Sequence, residues 1–273
     1  MVSLLHSARL KPFEVFLLGL SVSNLEEIVM VDVYDALLSR SSFRMSSWAC
    51  RGLKFLTMFG EIGSILFTVL ISVYRWQKLR VRVTLPGMMD GPGPARVLAV
   101  SCAAVALLFA SPTLLVNLDW SHSNSSAQAC PVDFFQCTSS RCPTRNRVYK
   151  YSFLLLCNLL PLLVVTLSSA MIIRFLMLHT ANTLTVYRKF TAVVSAVQRA
   201  GSGFQRSTAA ILTAMMLFQL NWSLYLVLHL ACDPYTLPSW SELEFLITSC
   251  YSAISPYVYG IGNNLFSRRR FTR

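Results

Sequence analysis

Charged residues are scarce in this sequence. Asp, Glu, Lys and Arg make up 13% of its 273 residues, about half of the roughly 25% that soluble domains contain. Hydrophobic residues make up 54% and are gathered in long runs, so the composition excludes an ordinary soluble domain and indicates a membrane protein. The formal net charge is +12. Because the basic residues lie between the apolar runs, they are more typical of flanks of membrane spans than of a nucleic-acid-binding surface.

The residue patterns of common enzymes are also missing. The four histidines are scattered over different segments, at His6, His122, His179 and His229. Neither His-Glu-x-x-His nor Gly-x-Ser-x-Gly occurs, and the cysteine spacings do not suggest a tetrahedral zinc site. We therefore expect a protein that is not an enzyme and that holds neither a metal ion nor another cofactor.

Six apolar runs are long enough to cross a bilayer, which takes about 20 mostly apolar residues in a helix. They cover residues 13–38, 53–74, 97–118, 151–178, 208–230 and 243–262. The first run is the most polar, since it contains five acidic residues. The alternation typical of β-barrel strands is absent. We predict an all-α, polytopic membrane bundle that forms one domain over residues 1–273, with a cytosolic tail at 263–273.

The lysines and arginines predict the orientation, because they concentrate in cytosolic segments. If the N-terminus is cytosolic, sixteen of the 24 basic residues lie in cytosolic segments or the adjoining helix ends. This orientation places the glycosylation sequon Asn124-Ser125-Ser126 outside. It also places Cys130, Cys137 and Cys142 outside, where disulfides persist. We expect both ends of the chain in the cytosol and a glycan on Asn124.

Two patterns in the apolar runs resemble rhodopsin-like receptors. Cys50 lies just before the second run, and Arg75 follows its last residue, 25 positions after Cys50. The third helix of those receptors has a cysteine and an arginine in the same arrangement. The last run contains Ser255-Pro256-Tyr257-Val258-Tyr259, which is similar to their motif Asn-Pro-x-x-Tyr. The proline frees a backbone carbonyl and allows a kink. Pro161 matches the proline of their fifth helix.

Three longer stretches narrow this resemblance. RLKPFEVFLLGLSVSNL, LISVYRWQKLR and SPYVYGIGNN, in this order, resemble the vomeronasal type 1 receptors and their fish counterparts, the olfactory receptor class A-like proteins. The resemblance covers nearly the whole chain. The residue directly before Arg75 is Tyr74 and not an acidic residue. Asn24 stands where other rhodopsin-like receptors have a sodium-binding aspartate.

The resemblance implies a rhodopsin-like seven-helix architecture and a chemosensory G-protein-coupled receptor in the plasma membrane of sensory neurons. Its partners would be a small-molecule odorant or pheromone, a heterotrimeric G protein and the lipid bilayer, with no nucleic acid. The residues implied in G-protein coupling and switching are Arg75, Lys78, Arg80, Pro256 and Tyr259.

Polar and aromatic residues inside the runs suggest where a ligand binds, since intramembrane charge is a functional candidate by default. Helical spacing brings each set of candidates near one face of its run. The candidate ligand residues are Glu27, Tyr34, Glu61, Trp222 and Tyr225. We expect them to line a cavity that is open to the outside and suited to a cationic or amine-bearing molecule. Alternatively, Glu27 and Glu61 are neutral or pair with Lys54 or Arg51, and they only hold the helices together.

Cysteines in the predicted outer segments indicate disulfides. The resemblance implies that Cys50 is bridged to the outer loop, with Cys130, Cys137 or Cys142 as its partner, and the sequence does not decide among them. We favour Cys50–Cys130, which leaves Cys137 and Cys142 to pair locally.

The count of spans predicts that the chain lacks the first helix of the family. The family has seven spans and an outer N-terminus, whereas six runs are present and Met1 is predicted in the cytosol. Residues Ser7 to Pro12 read as a first intracellular loop. A genuine six-span protein is the alternative to this interpretation.

Two rival functions fit a bundle of six apolar runs. A bitter-taste-like receptor is the nearest rival among receptors, but its intracellular signatures do not occur in residues 179–206. A six-span channel or transporter is the rival from another class. Such proteins often contain internal repeats or paired broken helices, and neither is visible in this sequence.

Overall fold

The computed structural model of the chain describes six long helical rods. It covers residues 11–39, 47–84, 92–116, 135, 137, 142–187, 194–232 and 240–262. Side chains at several helix ends, Tyr34 among them, lie outside the described side chains. Asn124 and Cys130 lie outside the described residues.

The helices follow the apolar runs and extend beyond several of them. Their bounds are α1 Pro12–Ser39, α2 Ser47–Thr84, α3 Pro92–Ala110, α4 Pro112–Val116, α5 Thr144–Phe153, α6 Leu160–Tyr187, α7 Val194–Ala231 and α8 Trp240–Gly262. A π-helical turn, Leu154–Leu159, joins α5 to α6 in one continuous rod. No strand occurs among the described residues, so the predicted all-α bundle is confirmed.

Prolines explain the irregular points of two rods. Pro112 begins α4, directly after the turn at Ser111 that ends α3, because proline suits the first position of a helix and has no N–H for the preceding turn. Pro161 follows the π-helical turn by two residues. Its ring removes a backbone hydrogen bond from that stretch of the rod.

Four helices are long and apolar enough to cross a membrane: Trp48–Arg80, Gly93–Leu115, Thr144–Leu178 and Thr208–Ala231. They contain the predicted spans 53–74, 151–178 and 208–230 and most of 97–118. The predicted spans 13–38 and 243–262 coincide with the helices α1 and α8 but are not in this set of four. Acidic residues lower the apolarity of α1. Glu242 and Glu244 do the same in the first turns of α8.

The polar residues of α1 are turned inward. Asn24 and Glu27 are buried, whereas the exposed side of the helix is mostly apolar. Its large apolar residues are Val22, Leu25, Val29 and Val33, and Asp32 is exposed beside the last of them. A helix with an apolar outer face and its polar groups satisfied inside the bundle is suited to a lipid environment. This arrangement supports the prediction that α1 also crosses the membrane.

Helix α2 lies at the centre of the bundle and packs against α1, α3 and α6. Its crossing with α1 is close. A Cβ atom added at Gly60 would lie 2.9 Å from the backbone N of Glu27 and 3.0 Å from the backbone O of Ser23. Small residues allow such backbone contact between membrane helices. We call the two ends of the bundle the Cys50 end and the Arg75 end, after the residues near either end of α2.

Candidate functional site

An aromatic cluster closes the Cys50 end of the bundle. Phe135, from the segment between α4 and α5, is completely buried and packs edge-on against His229 at 5.6 Å between ring centroids. Its backbone O accepts a hydrogen bond of 3.0 Å from the Asn146 amide. The rings of Tyr225 and Trp240 lie 4.3 and 5.0 Å from that of His229.

A buried carboxylate joins α7 to α8 beside this cluster. Glu244 Oε1 lies 3.1 Å from His229 Nε2, and its Oε2 accepts a hydrogen bond of 2.9 Å from the Trp240 indole N–H. Burial makes such contacts matter, because a polar group removed from water and left without a partner is costly. The pair therefore stabilises the α7–α8 contact at this end.

Glu61 occupies the interior of the bundle below the aromatic cluster. It lies eleven residues after Cys50, which corresponds to about 16 Å along a helix. Its carboxylate accepts a hydrogen bond from the Tyr225 hydroxyl, while its Oε1 has no partner. Trp222 packs edge-on against Tyr225 at 5.2 Å and is tilted against Phe218 at 6.1 Å. The predicted ligand residue Tyr225 of α7 is thus next to Glu61, and Trp222 packs against Tyr225.

Glu27 lies in a polar seam between α1 and α8. Its Oε2 accepts a hydrogen bond of 2.8 Å from the Ser252 hydroxyl. One turn earlier, the Asn24 amide donates to the Ser252 backbone O at 3.1 Å and to Ser255 Oγ at 2.8 Å. All four residues are buried. These hydrogen bonds join α1 to α8, the two long helices outside the set of four membrane-span candidates.

Neither predicted ligand carboxylate forms an ion pair with a described residue. Glu27 is bonded to a serine hydroxyl and Glu61 to a tyrosine hydroxyl, and Oε1 of each carboxylate lacks a partner. Among the described side chains, Lys54 and Arg51 therefore form no ion pair with Glu27 or Glu61. Glu61 instead lies within electrostatic range of two other carboxylates, those of Glu27 and Glu244.

A polar residue recurs every seventh position along one face of α2, and each one meets a tyrosine. Glu61 accepts a hydrogen bond from Tyr225, and Thr68 shares one of 2.6 Å with Tyr251. Arg75 interacts electrostatically with Tyr259. We call these three pairs the tyrosine ladder. Seven residues correspond to two helical turns, or about 10.5 Å, so the ladder extends from Glu61 to the Arg75 end.

The lower part of the ladder is continuous with the α1–α8 seam. The Tyr251 hydroxyl is hydrogen-bonded to Ser255 as well as to Thr68. Ser255 also receives the Asn24 amide. Since these side chains are buried, they form one hydrogen-bonded network in the interior.

The Arg75 end carries the predicted coupling residues. The Arg75 guanidinium lies 4.0 Å from the centroid of the Phe13 ring, within cation–π distance. Lys78 and Arg80 are exposed, 6.0 Å from the Tyr74 ring and 5.6 Å from the Trp76 ring respectively. Pro256 lies inside α8, three residues before the completely buried Tyr259. Arg75 and Tyr259 lie within electrostatic range of each other, and the side chains of Lys78 and Arg80 are accessible.

Three of the cysteines predicted to form disulfides are bridged in the structure. Cys137 and Cys142 form a disulfide, as expected for the local pair. Cys50 is disulfide-bonded, and its partner lies outside the described residues, so the pairing with Cys130 stays a prediction. Among the described residues, the free cysteines are Cys102, Cys157, Cys232 and Cys250.

Sequence reasoning missed four residues of this interior. Phe135 lies in a segment with no helical pattern, so nothing indicated that it is buried. Trp240 and Glu244 lie at the predicted edge of the last run, where a carboxylate reads as a solvated end. Asn158 lies in an apolar run whose only other charged or amide side chain is Arg174, near the end of the run. The spacing of Trp240 and Glu244, one helical turn, was the only available signal.

The sequence profile of the "7 transmembrane receptor (rhodopsin family)" matches residues 1–259. This match covers most of the chain. The chain belongs to the rhodopsin family of 7 transmembrane receptors. A search of curated proteins finds no match.

Membership of this family establishes the general character of the protein. It is a multi-pass membrane receptor of a family whose members bind ligands, in general small molecules, and act on G proteins. The family consists of receptors, not enzymes. The apolar helices agree with this assignment, because four of them suit a membrane span by length and composition.

Proposed function

We propose that the protein is a chemosensory receptor of the vomeronasal type 1-like group. A small odorant or pheromone would bind among the helices at the Cys50 end, which would face the outside of a sensory neuron. A heterotrimeric G protein would bind the Arg75 end in the cytosol. This proposal rests on the sequence stretches that resemble that group and on the tyrosine ladder between the two ends.

The tyrosine ladder is the observation that carries the mechanism. It places a pair of polar partners from different helices at each of three levels along α2. A ligand that draws Glu61 away from Tyr225 would change the α2–α7 contact. A receptor has two populated states, and a ligand shifts their balance only by binding one of them more tightly. The proposed active state is the one in which the Arg75–Tyr259 pair has separated.

Glu61 is the proposed anchor of an amine-bearing ligand. One oxygen of its carboxylate has no partner, and it is buried beside Trp222 and Tyr225, whose rings favour contact with a cation. The Glu27 carboxyl, on the neighbouring helix, lies within electrostatic range of Glu61. Tyr34, whose side chain is not described, stays a predicted member of the same site.

The basic residues at the Arg75 end are proposed to meet the G protein. Lys78 and Arg80 are exposed on the turns that follow Arg75. The alternative role for these exposed side chains is binding of anionic phospholipid at the membrane surface. Pro256 would permit α8 to bend and carry Tyr259 away from the arginine.

The substitution Glu61→Gln tests the ligand site. Glutamine keeps the size and a hydrogen-bonding oxygen for Tyr225 but removes the charge. In cells that express the receptor with a G-protein reporter, we expect the potency of amine ligands to fall at least tenfold, about 1.4 kcal/mol. The potency of neutral odorants should be unchanged.

The exposed Glu242 offers a matched control, and Glu242→Gln should respond as the unmodified receptor does. An equal loss of potency for amines and neutral odorants in Glu61→Gln would assign Glu61 a structural role. A ligand-evoked membrane current without any G-protein response would favour the channel alternative and contradict the proposed function.

A further inference from the structure

Asn158 is a buried amide to which the ligand site described so far gives no role. It lies in the π-helical turn Leu154–Leu159 and is 1% exposed. Neither its amide nitrogen nor its amide oxygen has a hydrogen-bond partner. Each buried polar group left without a partner costs about 1–3 kcal/mol. Such a residue in a folded protein calls for an explanation, and a role in binding is one.

Other polar atoms with unused hydrogen-bonding capacity lie on the helices that the π-helical turn contacts. The turn packs against α2 and α7. On these helices Glu61 Oε1, Asn221 Nδ2 and Trp222 Nε1 are buried and also lack partners. The Glu61 carboxylate is within electrostatic range of Cys157, the residue before Asn158. Three elements therefore supply both donors and acceptors to one region of the interior.

The π-helical turn gives a local reason why this residue is buried. Helices widen into single π turns rarely, and such turns are frequent at functional sites because the added residue changes which side chains face inward. Here Leu154, Cys157 and Asn158 are the buried members of the turn. The amide of Asn158 thus lies on the inward side of the rod, together with the side chains of Leu154 and Cys157.

We propose that Asn158 is a second polar anchor of the ligand, and that the ligand is bifunctional. It would carry an amine for Glu61 and, at a second position, an uncharged oxygen group such as a hydroxyl, ketone or carboxamide. An asparagine amide both donates and accepts hydrogen bonds, so it suits each of these groups. This inference rests on the proposed function, in which Glu61 binds the amine.

The first test needs no ligand. Leucine is similar in size to asparagine and has no polar atoms, so Asn158→Leu removes the unpartnered amide without leaving a large cavity. We expect the thermal unfolding midpoint of the purified, ligand-free receptor to stay the same or rise. A fall of several degrees would show that the amide is bonded within the protein and would overturn the proposal.

Asn146 offers a matched control for this measurement. It is also a buried asparagine on the same rod, but its amide donates a hydrogen bond of 3.0 Å to the Phe135 backbone. Asn146→Leu should therefore lower the unfolding midpoint, because it leaves that buried carbonyl without its donor. The opposite signs of the two changes are the expected result.

The second test compares hexylamine with its terminal-hydroxyl analogue in the G-protein assay. The unmodified receptor should respond to the hydroxyl compound at a concentration at least tenfold lower, and Asn158→Leu should abolish this preference. A preference that persists in Asn158→Leu would contradict the role of Asn158.

The two proposals fail in different ways. If Glu61→Gln leaves the potency of both compounds unchanged, the amine anchor is wrong, whereas the loss of hydroxyl preference in Asn158→Leu still supports Asn158. The thermal measurement decides on Asn158 independently of any response to amines.

Discussion

Three of the four glutamates that are buried among the described residues lie on different helices and define the chemistry of the interior at the scale of single residues. Glu27 on α1 accepts from a serine, Glu61 on α2 from a tyrosine, and Glu244 on α8 from a tryptophan. Each carboxylate thus keeps at least one hydrogen bond inside the bundle, as buried polar groups require. Only Glu244 is also in contact with a histidine.

The contact of His229 with Glu244 is expected to stabilise the receptor. His229→Leu would leave the buried Glu244 with the Trp240 N–H as its remaining hydrogen bond among the described partners. We expect the free energy of unfolding to fall by about 1–3 kcal/mol, the cost of a buried polar group that loses a partner. Thermal unfolding of the purified receptor measures this loss.

The exposed Glu242, two residues before Glu244, provides the control for the His229 variant. Glu242→Gln should change the free energy of unfolding by no more than about 0.5 kcal/mol. If His229→Leu unfolds at the same temperature as the unmodified receptor, the His229–Glu244 contact contributes nothing to stability and our interpretation of the α7–α8 contact is wrong.

The close crossing of α1 and α2 is the main feature at the scale of helices. Gly60 brings the α2 backbone against Glu27 and Ser23 of α1. This contact fixes the height of Glu27 beside α2, and the hydrogen bonds of the α1–α8 seam then fix α8. The geometry of the seam therefore depends on a residue without a side chain.

We expect Gly60→Ala to destabilise the receptor although alanine favours helices. In an open helical position the change from glycine to alanine stabilises by about 1 kcal/mol. At Gly60 the new Cβ would lie 2.9 Å from a backbone nitrogen, so the two helices would have to move apart. The thermal unfolding midpoint should fall.

Gly52 on the same helix is the control for the Gly60 variant, because a Cβ atom added there meets nothing within 4 Å. Gly52→Ala should leave the unfolding midpoint unchanged or raise it. Equal midpoints for the two alanine variants would contradict the close crossing of α1 and α2.

The helices were largely predictable from the sequence, whereas their ends and irregularities were not. The predicted run 53–74 lies inside α2, which extends from Ser47 to Thr84. Backbone hydrogen bonding continues past the apolar stretch, because arginine, lysine and glutamine favour helices as well as leucine does. The π-helical turn was not predicted, since a single added residue hardly changes the apolar pattern of a run.

The candidate site was predictable as a set of faces but not as a set of contacts. Helical spacing identified Glu61, Trp222 and Tyr225. The bond between Glu61 and Tyr225 depends on how α2 and α7 pack, and no pattern within either helix contains that information. For the same reason the sequence could not show that Glu27 meets Ser252 on a helix more than two hundred residues away.

The whole molecule is a membrane bundle whose two ends differ in character. The Cys50 end holds the aromatic cluster around His229, and the Arg75 end holds an arginine followed by exposed basic side chains. The tyrosine ladder lies between them along the central helix. A ligand at one end and a G protein at the other are coupled if both favour the same arrangement of this ladder.

We expect Arg75 to transmit the response to the G protein without taking part in ligand binding. The most direct test measures ligand-evoked nucleotide exchange on the G protein in membranes that contain Arg75→Ala. Exchange should fall to the unstimulated level, while the amount of receptor at the cell surface and its affinity for an amine ligand should remain within about threefold of the unmodified receptor. Arg145→Ala, an exposed arginine on α5 near the opposite end, serves as the control and should respond normally. Normal exchange with Arg75→Ala would contradict the account.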